Sequence, residues 1–450
     1  MKKIKITFEH KQIEVEENTT YLEISKYSQK KDIALAVKKE NELFPLTTRA
    51  IKDETIEFID ASSIEGAKIY KAAIKFILEV ALKTVFPTSD IDYLHSVPGG
   101  MLGEIEYDRI LTKEDISKIK EEMAKIIDEN CEFKRYNILK KEAADFYEAT
   151  SYYEKAINVK TCDDIVTIYK LKDYLNYYYV PMPYSTGCIK QFELKYLDNN
   201  RLIILYPSNL TKGRLPEYVH HENIINAYYE GKSWLKRLNA PYVADLNNLV
   251  ANRGMKGFIE SCELHFTDEI KKACDKIIRN NDKKFVMIAG PSSSGKTTTT
   301  RILGAYLRSK GYDPICLSTD DYFVDREDTP KDEFGAYDFE CLNAIDTRQF
   351  NEDLMQLLKG KEVNIPTFNF VTGKREYHNH VIKLNENSII LIEGLHSLND
   401  DLTPGIPERY KYKIYLSPFI PLNIDRHNYI STLDLRLIRR IIRDNRTRGY

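Results

Sequence analysis

Long apolar runs are missing from this chain, and several structural classes go with them. No stretch approaches the roughly 20 consecutive apolar residues that a bilayer-spanning helix needs, so no membrane span is expected. The basic start, Met1-Lys2-Lys3-Ile4-Lys5, has no apolar core behind it, which argues against a secretory leader. The seven cysteines, at positions 131, 162, 188, 262, 274, 316 and 341, form no C-x-x-C pair. Structural zinc and a disulfide framework are therefore poor readings, and reduced cytosolic thiols fit better. Charge of one sign is also lacking: 66 Lys and Arg face 68 Asp and Glu, for a net charge of −2. That balance gives no global pull toward nucleic acid or anionic lipid. Tryptophan occurs once, at Trp234, and is read as a packing anchor. The expectation is a soluble cytoplasmic protein, and 450 residues are enough for two to four domains.

What is present begins with period-two alternation. Ile4, Ile6 and Phe8 share one strand face, and Ile13 and Val15 follow a turn at His10-Lys11. Thr20-Tyr21-Leu22-Glu23 has capping-box spacing and predicts a short helix carrying Leu22 and Ile24. Short apolar runs follow at 33–37 and 56–59. From Ile69 to Phe86 apolar residues recur at helical spacing, and Asp115–Ile127 reads as a second helix with acidic residues in its first turn. Strand-like stretches span 165–171, 188–196 and 201–206, and Tyr174–Tyr184 holds five tyrosines, read as packed aromatic core or groove wall. Residues 222–238, 248–262 and 266–279 read as connecting helices, with His220-His221 as a solvated pair.

The chemistry concentrates further on. Lys284–Ala289 is a short apolar run, as a buried parallel strand requires, and it feeds Gly290-Pro-Ser-Ser-Ser-Gly-Lys296-Thr297, which fits G-x-x-x-x-G-K-[ST]. A helix with Ile302, Leu303, Tyr306 and Leu307 on one side follows. Strand, loop and helix are the setting in which backbone N–H groups cradle phosphates. Gly290, Ser292, Ser293, Ser294, Gly295, Lys296, Thr297 and Thr298 are therefore the expected nucleotide ligands. Lys296 would reach the β- and γ-phosphates, and Thr297 would join a Mg²⁺ shell. A second apolar strand, Ile389–Ile392, ends at Glu393-Gly394, placing a carboxylate where metal or its waters are held. A third, Ile315–Ser318, ends in Asp320-Asp321. Asp320 there could accept a proton from an acceptor hydroxyl while helping to order Mg²⁺. Arg436, Arg439, Arg440 and Arg443 share a helix face opposite Leu435, Ile438 and Ile442. A nearly all-arginine face suits phosphate and reads as a mobile lid, with nucleic-acid binding as the competitor.

These residues resemble the uridine kinase/phosphoribulokinase family. Gly290–Thr297, Asp320-Asp321-Tyr322-Phe323, Glu393-Gly394 and the arginine spacing of Arg436–Gly449 carry the likeness. It implies an ATP- and Mg²⁺-dependent kinase with Asp320 as general base, Lys296 and Arg439 on the transferred phosphoryl group, and Thr297, Glu393 and Asp320 around the metal. It also implies Asp338 on sugar hydroxyls and Arg436 and Arg448 on substrate or phosphate. Two positions depart: pyrimidine kinases place a tyrosine and a histidine where Phe368 and Gly373 stand. Phe368 can still stack, but two polar contacts are gone, which leaves the acceptor open. Such kinases continue past the lid with further helices and a strand, so a shortened form is expected here. Ahead of this part, Thr55–Asp60, Val85-Phe86-Pro87 and Tyr169…Pro181…Ser185-Thr186-Gly187 resemble the TGS and editing domains of threonyl-tRNA synthetases. The editing metal ligands fall on Ala72, Phe76, Tyr178 and Met182, none a strong zinc ligand, so an inactive scaffold is expected.

The expected fold is therefore multidomain, α/β with α+β. A TGS-like β-grasp domain (1–62) precedes an editing-like α+β domain (63–210), a helical connector (211–282) and a P-loop parallel-sheet kinase domain (283–450). The expected partner is a nucleoside or related polyol, in a homo-oligomer. The alternative is a P-loop ATPase or switch whose front half binds tRNA or ribosome, and the lack of an N-K-x-D motif argues against a GTPase.

Overall fold

The computed structural model describes residues 2–280, 282–418 and 420–447. Its contacts divide the chain into two compact units, Met1–Arg253 with Ile420–Ser431, and Gly254–Phe419 with Thr432–Tyr450.

In the N-terminal unit, β1 (Lys3–Phe8) and β2 (Lys11–Glu16) form the expected hairpin, and β5 (Glu54–Thr55) pairs parallel to β1. Alternation drives it: Ile4, Ile6 and Phe8 enter one core, while Ile13 and Val15 pack half-buried against it. Helix α1 (Tyr21–Ser25) carries the predicted capping box between Thr20 and Glu23, but it buries Tyr21 and Ile24, leaving Leu22 half-buried. A second small sheet, in the order β4 (Glu42–Pro45), β3 (Ala36–Lys39), β6 (Glu57–Ile59), completes this part.

Helix α2 (Ile64–Val85) starts five residues before the predicted Ile69, because Ser63 caps it by accepting from the Gly66 N–H. It is buried on nearly all sides, as a helix with apolar residues all round must be. Around it lie β7 (Asp90–Val97), β8 (Gly100–Glu106) and α3 (Lys113–Asp128), the last capped by Thr112 and Asp115. Next come β9 (Lys134–Leu139), α4 (Lys140–Ala149), α5 (Tyr153–Lys160), β10 (Ile165–Leu171) and β11 (Tyr174–Asn176). The last strands, β12 (Glu193–Tyr196) and β13 (Arg201–Leu205), join an antiparallel sheet ordered β12-β13-β8-β7. The strand expected over 188–196 is thus shorter, because Thr186–Cys188 turns as a 3-10 helix. Tyr177 and Tyr178 are core, whereas Tyr179 is exposed. Helices α6 (Glu222–Arg237) and α7 (Val243–Ala251) close the unit.

Chain breaks fall differently from the periodicity in the helical stretch. Arg253, at φ 58°, ends α7, and α8 (Met255–Arg279) then runs unbroken through the expected gap at 263–265. Helices of the stretch 211–282 are therefore shared between the two units.

The C-terminal unit is built on four parallel strands. These are β14 (Phe285–Ala289), β15 (Asp313–Ser318), β20 (Ser388–Gly394) and β21 (Lys411–Tyr415), in the order β15-β20-β14-β21. Between them lie α9 (Lys296–Ser309), α10 (Thr347–Leu358) and four short strands, β16 (Val363–Asn364), β17 (Thr367–Asn369), β18 (Lys374–Glu376) and β19 (Val381–Ile382). Both faces of the two central strands are covered, so β20 and β14 read as continuous apolar runs. Val286 and Ile288 meet Ile270 and Cys274 of α8 and Leu303 and Leu307 of α9. On the other face Phe285 and Met287 meet Phe350, Leu354 and Leu357 of α10. After β21 the chain contributes β22 (Asn423–Asp425) and β23 (Asn428–Tyr429) to the N-terminal unit, then returns as α11 (Thr432–Thr447).

Candidate active site

Parallel pairing brings the predicted groups to one edge of the sheet. Glu393 on β20 is in register with Ile288 of β14 on one side and Ser318 of β15 on the other. The loop after β14 and the acidic turn after β15 therefore emerge beside Glu393, at the carboxyl ends where ligands bind in such sheets. Ser293 at φ 63° and Gly295 at φ 101° hold left-handed backbone in the loop. Such turns point successive N–H groups into one concavity that suits an anion, and Gly295 caps the start of α9.

A cavity of about 790 Å³ opens there. Of the expected residues, Ser292, Ser293, Gly295, Lys296, Thr297, Thr298, Asp320, Glu393 and Arg439 line it. The Lys296 ammonium donates to the Gly290 carbonyl at 2.9 Å. The Thr297 hydroxyl lies 3.1 Å from both carboxylate oxygens of Glu393. Ser293, which lines the cavity, keeps a buried hydroxyl without a protein partner, as a cradle for phosphate oxygens would.

Three carboxylates share this edge. Burial raises the pKa of Asp320, although its side chain keeps an open edge, and the Lys296 charge opposes that rise. Burial raises Asp321 and Glu393 as well, and repulsion from Asp320 adds to both. Thr297 and Lys296 partly offset the rise at Glu393. A divalent cation would relieve that repulsion. Among the described residues no group of three or more His, Cys, Asp or Glu side chains could hold a metal alone. Thr297 and Glu393 instead match a Mg²⁺ ion that takes few protein oxygens and fills its shell with phosphate oxygens and water.

Helix α11 closes the cavity with a seam slightly rotated from the expected one. Arg439, Ile442, Arg443 and Arg446 line it, whereas Arg440 turns toward Asp444, at 3.6 Å. The Arg439 Nε–H donates to the Ser293 carbonyl at 2.9 Å, so loop and helix already touch. Arg443 and Arg446 stand four and seven residues beyond Arg439, a helical spacing that identifies Arg446 once the seam is known. Ser318 also lines the cavity; only its place at a strand end hinted at this.

Other expected residues lie elsewhere. Gly290 and Ser294 shape the loop without lining the cavity, and Arg436 is also outside it. Arg448 lies outside the described residues. Asp338 accepts from the Glu340 N–H at 3.0 Å in a half-buried turn. Phe368 is only 5% exposed, its ring edge-on to Phe323 at 5.5 Å and to Phe370 at 5.2 Å. The exposed rings of this cluster belong to Tyr337, Phe339 and Phe370, which sequence reasoning did not single out. Gly373 has φ +70°, and a Cβ there would meet the Arg326 side chain at 2.9 Å. Arg326, itself donating to the Phe370 carbonyl at 2.7 Å, thus fills the space beside Gly373.

A parallel sheet with a phosphate loop, two acidic strand ends and a basic helix defines a P-loop phosphoryl-transfer fold. Residues 285–450 match the phosphoribulokinase/uridine kinase family. A uridine kinase of Ligilactobacillus salivarius is 30% identical over 171 residues, covering 38% of this chain and 71% of the relative. The chain belongs to the phosphoribulokinase/uridine kinase family. Its N-terminal part is homologous to threonine–tRNA ligases. That of Symbiobacterium thermophilum is 28% identical over 163 residues, covering 36% of this chain but only 25% of the ligase. A solved structure, a possible uridine kinase from Bacillus stearothermophilus, aligns with TM-score 0.29 and 23% identity, over 34% of this chain and 80% of its own.

Proposed function

We propose that the C-terminal unit transfers the γ-phosphoryl group of ATP to a hydroxyl of a nucleoside or related small polyol. The observation that carries this reading is the convergence of Lys296, Thr297, Asp320, Glu393 and Arg439 on one cavity. Phosphoryl transfer needs positioning and charge stabilisation more than covalent chemistry, and this set supplies both. Loop N–H groups and the Lys296 ammonium hold the phosphates. Thr297 and Glu393 would hold Mg²⁺, which would supply charge neutralisation on those phosphates. Asp320 orients the acceptor hydroxyl and takes its proton, a role its raised pKa favours by strengthening it as a base. Arg439 and Arg443 stabilise charge on the transferred group. The acceptor's planar part would rest on Phe339 and Phe370, with Asp338 and Arg326 near its polar edge. The uridine kinase named above supports the nucleoside class; Phe368 and Gly373 leave its base open.

The test measures ATP consumption and acceptor phosphorylation across a panel of nucleosides and sugars, with Asp320→Asn beside the parent chain. We expect one acceptor class to be phosphorylated and the variant to lose about 10²- to 10⁴-fold in turnover. Hydrolysis independent of any acceptor, or stimulated only by RNA, would defeat the proposal and favour a P-loop switch.

A further inference from the structure

The N-terminal unit holds a second cavity, of about 400 Å³, a size usual for small-molecule sites. The four positions that the resemblance to threonyl-tRNA synthetases sets against editing-site ligands do not make it a metal site. Ala72, Phe76, Tyr178 and Met182 are all buried core, and the rings of Phe76 and Tyr178 lie 5.5 Å apart. Instead Phe76, Phe146 and Tyr147 give the cavity aromatic walls, beside a polar floor of Glu79, Asn176 and His427.

That floor is already paired. The Asn176 amide donates to Glu79 at 2.7 Å and accepts from the Lys155 ammonium at 2.5 Å. The Tyr178 hydroxyl donates to Glu79 at 3.0 Å. Lys155 and the Asn176 amide both lie 2.9 Å from His427 Nδ1, and His427 Nε2 lies 3.3 Å from Asp90. The other charged groups of the lining are matched too, Lys83 to Asp90 at 3.6 Å and Asp173 to Lys170 at 3.9 Å, so an ionic ligand would have to break into one of these pairs at a desolvation cost. The Tyr147 hydroxyl, on a side chain only 1% exposed, has the Tyr177 backbone nearby but makes no well-formed hydrogen bond, a condition buried polar groups rarely tolerate. Aromatic walls, a neutralised floor and an unpaired hydroxyl suit a flat, uncharged molecule with hydrogen-bonding edges.

His427 and Asp425 stand on the segment Ile420–Ser431, which belongs to the N-terminal unit although it links β21 to α11. Buried bonds fasten it: the Tyr93 N–H donates to the Arg426 carbonyl at 3.0 Å, and the Tyr177 hydroxyl to Asp425 at 2.7 Å. Asn423 donates to the Tyr93 carbonyl at 2.8 Å. Helix α11 begins at Thr432, five residues after His427. A ligand that touches His427 therefore acts on the chain leading directly into the arginine helix.

We propose that this cavity binds a small, planar, uncharged heteroaromatic molecule of the nucleobase or nucleoside class, and that its occupancy biases α11 through the 420–431 segment. The second half rests on α11 acting as the lid of the kinase site; the first does not. Such coupling needs only that the ligand prefer one of two arrangements of the segment.

Hydrogen exchange on the full chain, read by mass spectrometry, tests both halves. The probes are uracil, uridine, adenine and adenosine, with glycine and inorganic phosphate as charged controls. At least one base or nucleoside should slow exchange in 146–155, 174–178 and 423–429 and change it in 432–447. Tyr147→Phe should weaken that probe about 3- to 10-fold, the worth of one hydrogen bond, without lowering the melting temperature. Leu175→Trp, on the cavity wall, should abolish the protection. Lack of protection by all four probes, or equal protection by glycine or phosphate, overturns the ligand class. Protection of the cavity without any change in 432–447 overturns the coupling. Failure of the kinase reading would appear instead as no acceptor phosphorylation, with the cavity protection intact.

Discussion

Glu154 shows how a single residue can stand against its fold. It is fully buried on α5, and neither carboxylate oxygen has a hydrogen-bond partner. Burial raises its pKa, opposed by its own backbone N–H and then by the charges of Arg426 and Lys155. A carboxyl with a raised folded pKa adds stability below its unfolded value and loses it as pH climbs through the folded value. At neutral pH it is therefore a cost. Glu154→Met should raise the unfolding free energy by about 1–3 kcal/mol at pH 7. The gain should shrink as pH is lowered toward 4.5, read by denaturant melts at each pH. A gain that is constant with pH would assign the effect to packing alone.

At the scale of one element, α11 separates two kinds of arginine that look alike in the sequence. Arg439 faces the cavity and touches the phosphate loop, whereas Arg440 faces Asp444. If α11 stabilises the transferred phosphoryl group, Arg439→Ala should lower kcat by about 10³-fold, on the scale of an arginine finger. ATP affinity should change far less, because the loop N–H groups remain. Arg440→Ala should alter kcat by less than about threefold. Equal losses for the two variants would mean that α11 contributes only diffuse positive charge. Periodicity placed four arginines on one face, and the structure shifted that face so that Ile442 and Arg446 line the cavity while Arg440 does not. A helical wheel defines relative angles along a helix but not which angle meets a neighbour.

For the whole molecule, Lys75 reports on the joint between α2 and the 420–431 segment. Its ammonium is buried, donating to the His427 carbonyl and, at 3.3 Å, to Asn428. Burial pulls its pKa down to about 7, although Glu79 and Asp425 favour the charged form. With the folded pKa below the ordinary 10.5, the unfolded chain binds more protons between those values, so stability rises with pH across that window. From pH 7 to 8.5 the parent chain should gain about 1–2 kcal/mol over Lys75→Met. Parallel curves for the two proteins would show that Lys75 keeps its ordinary affinity for protons.

The local features were legible because short-range rules decide them. The capping box at Thr20, the strand at Ile165–Leu171, the strand–loop–helix around Gly290–Thr297 and the acid ends at Asp320 and Glu393 all follow from residue spacing and from which side chains must leave water. By itself the sequence determined the phosphate loop and the family of the C-terminal part. Only the tertiary structure decided which strands are neighbours, and hence that Glu393 stands between Ile288 and Ser318. Only it returned His427 to a cavity hundreds of residues upstream in the chain, with Asp425 accepting from the Tyr177 hydroxyl. Strand order and long-range burial depend on contacts whose partners lie far apart along the chain, and no local periodicity encodes them.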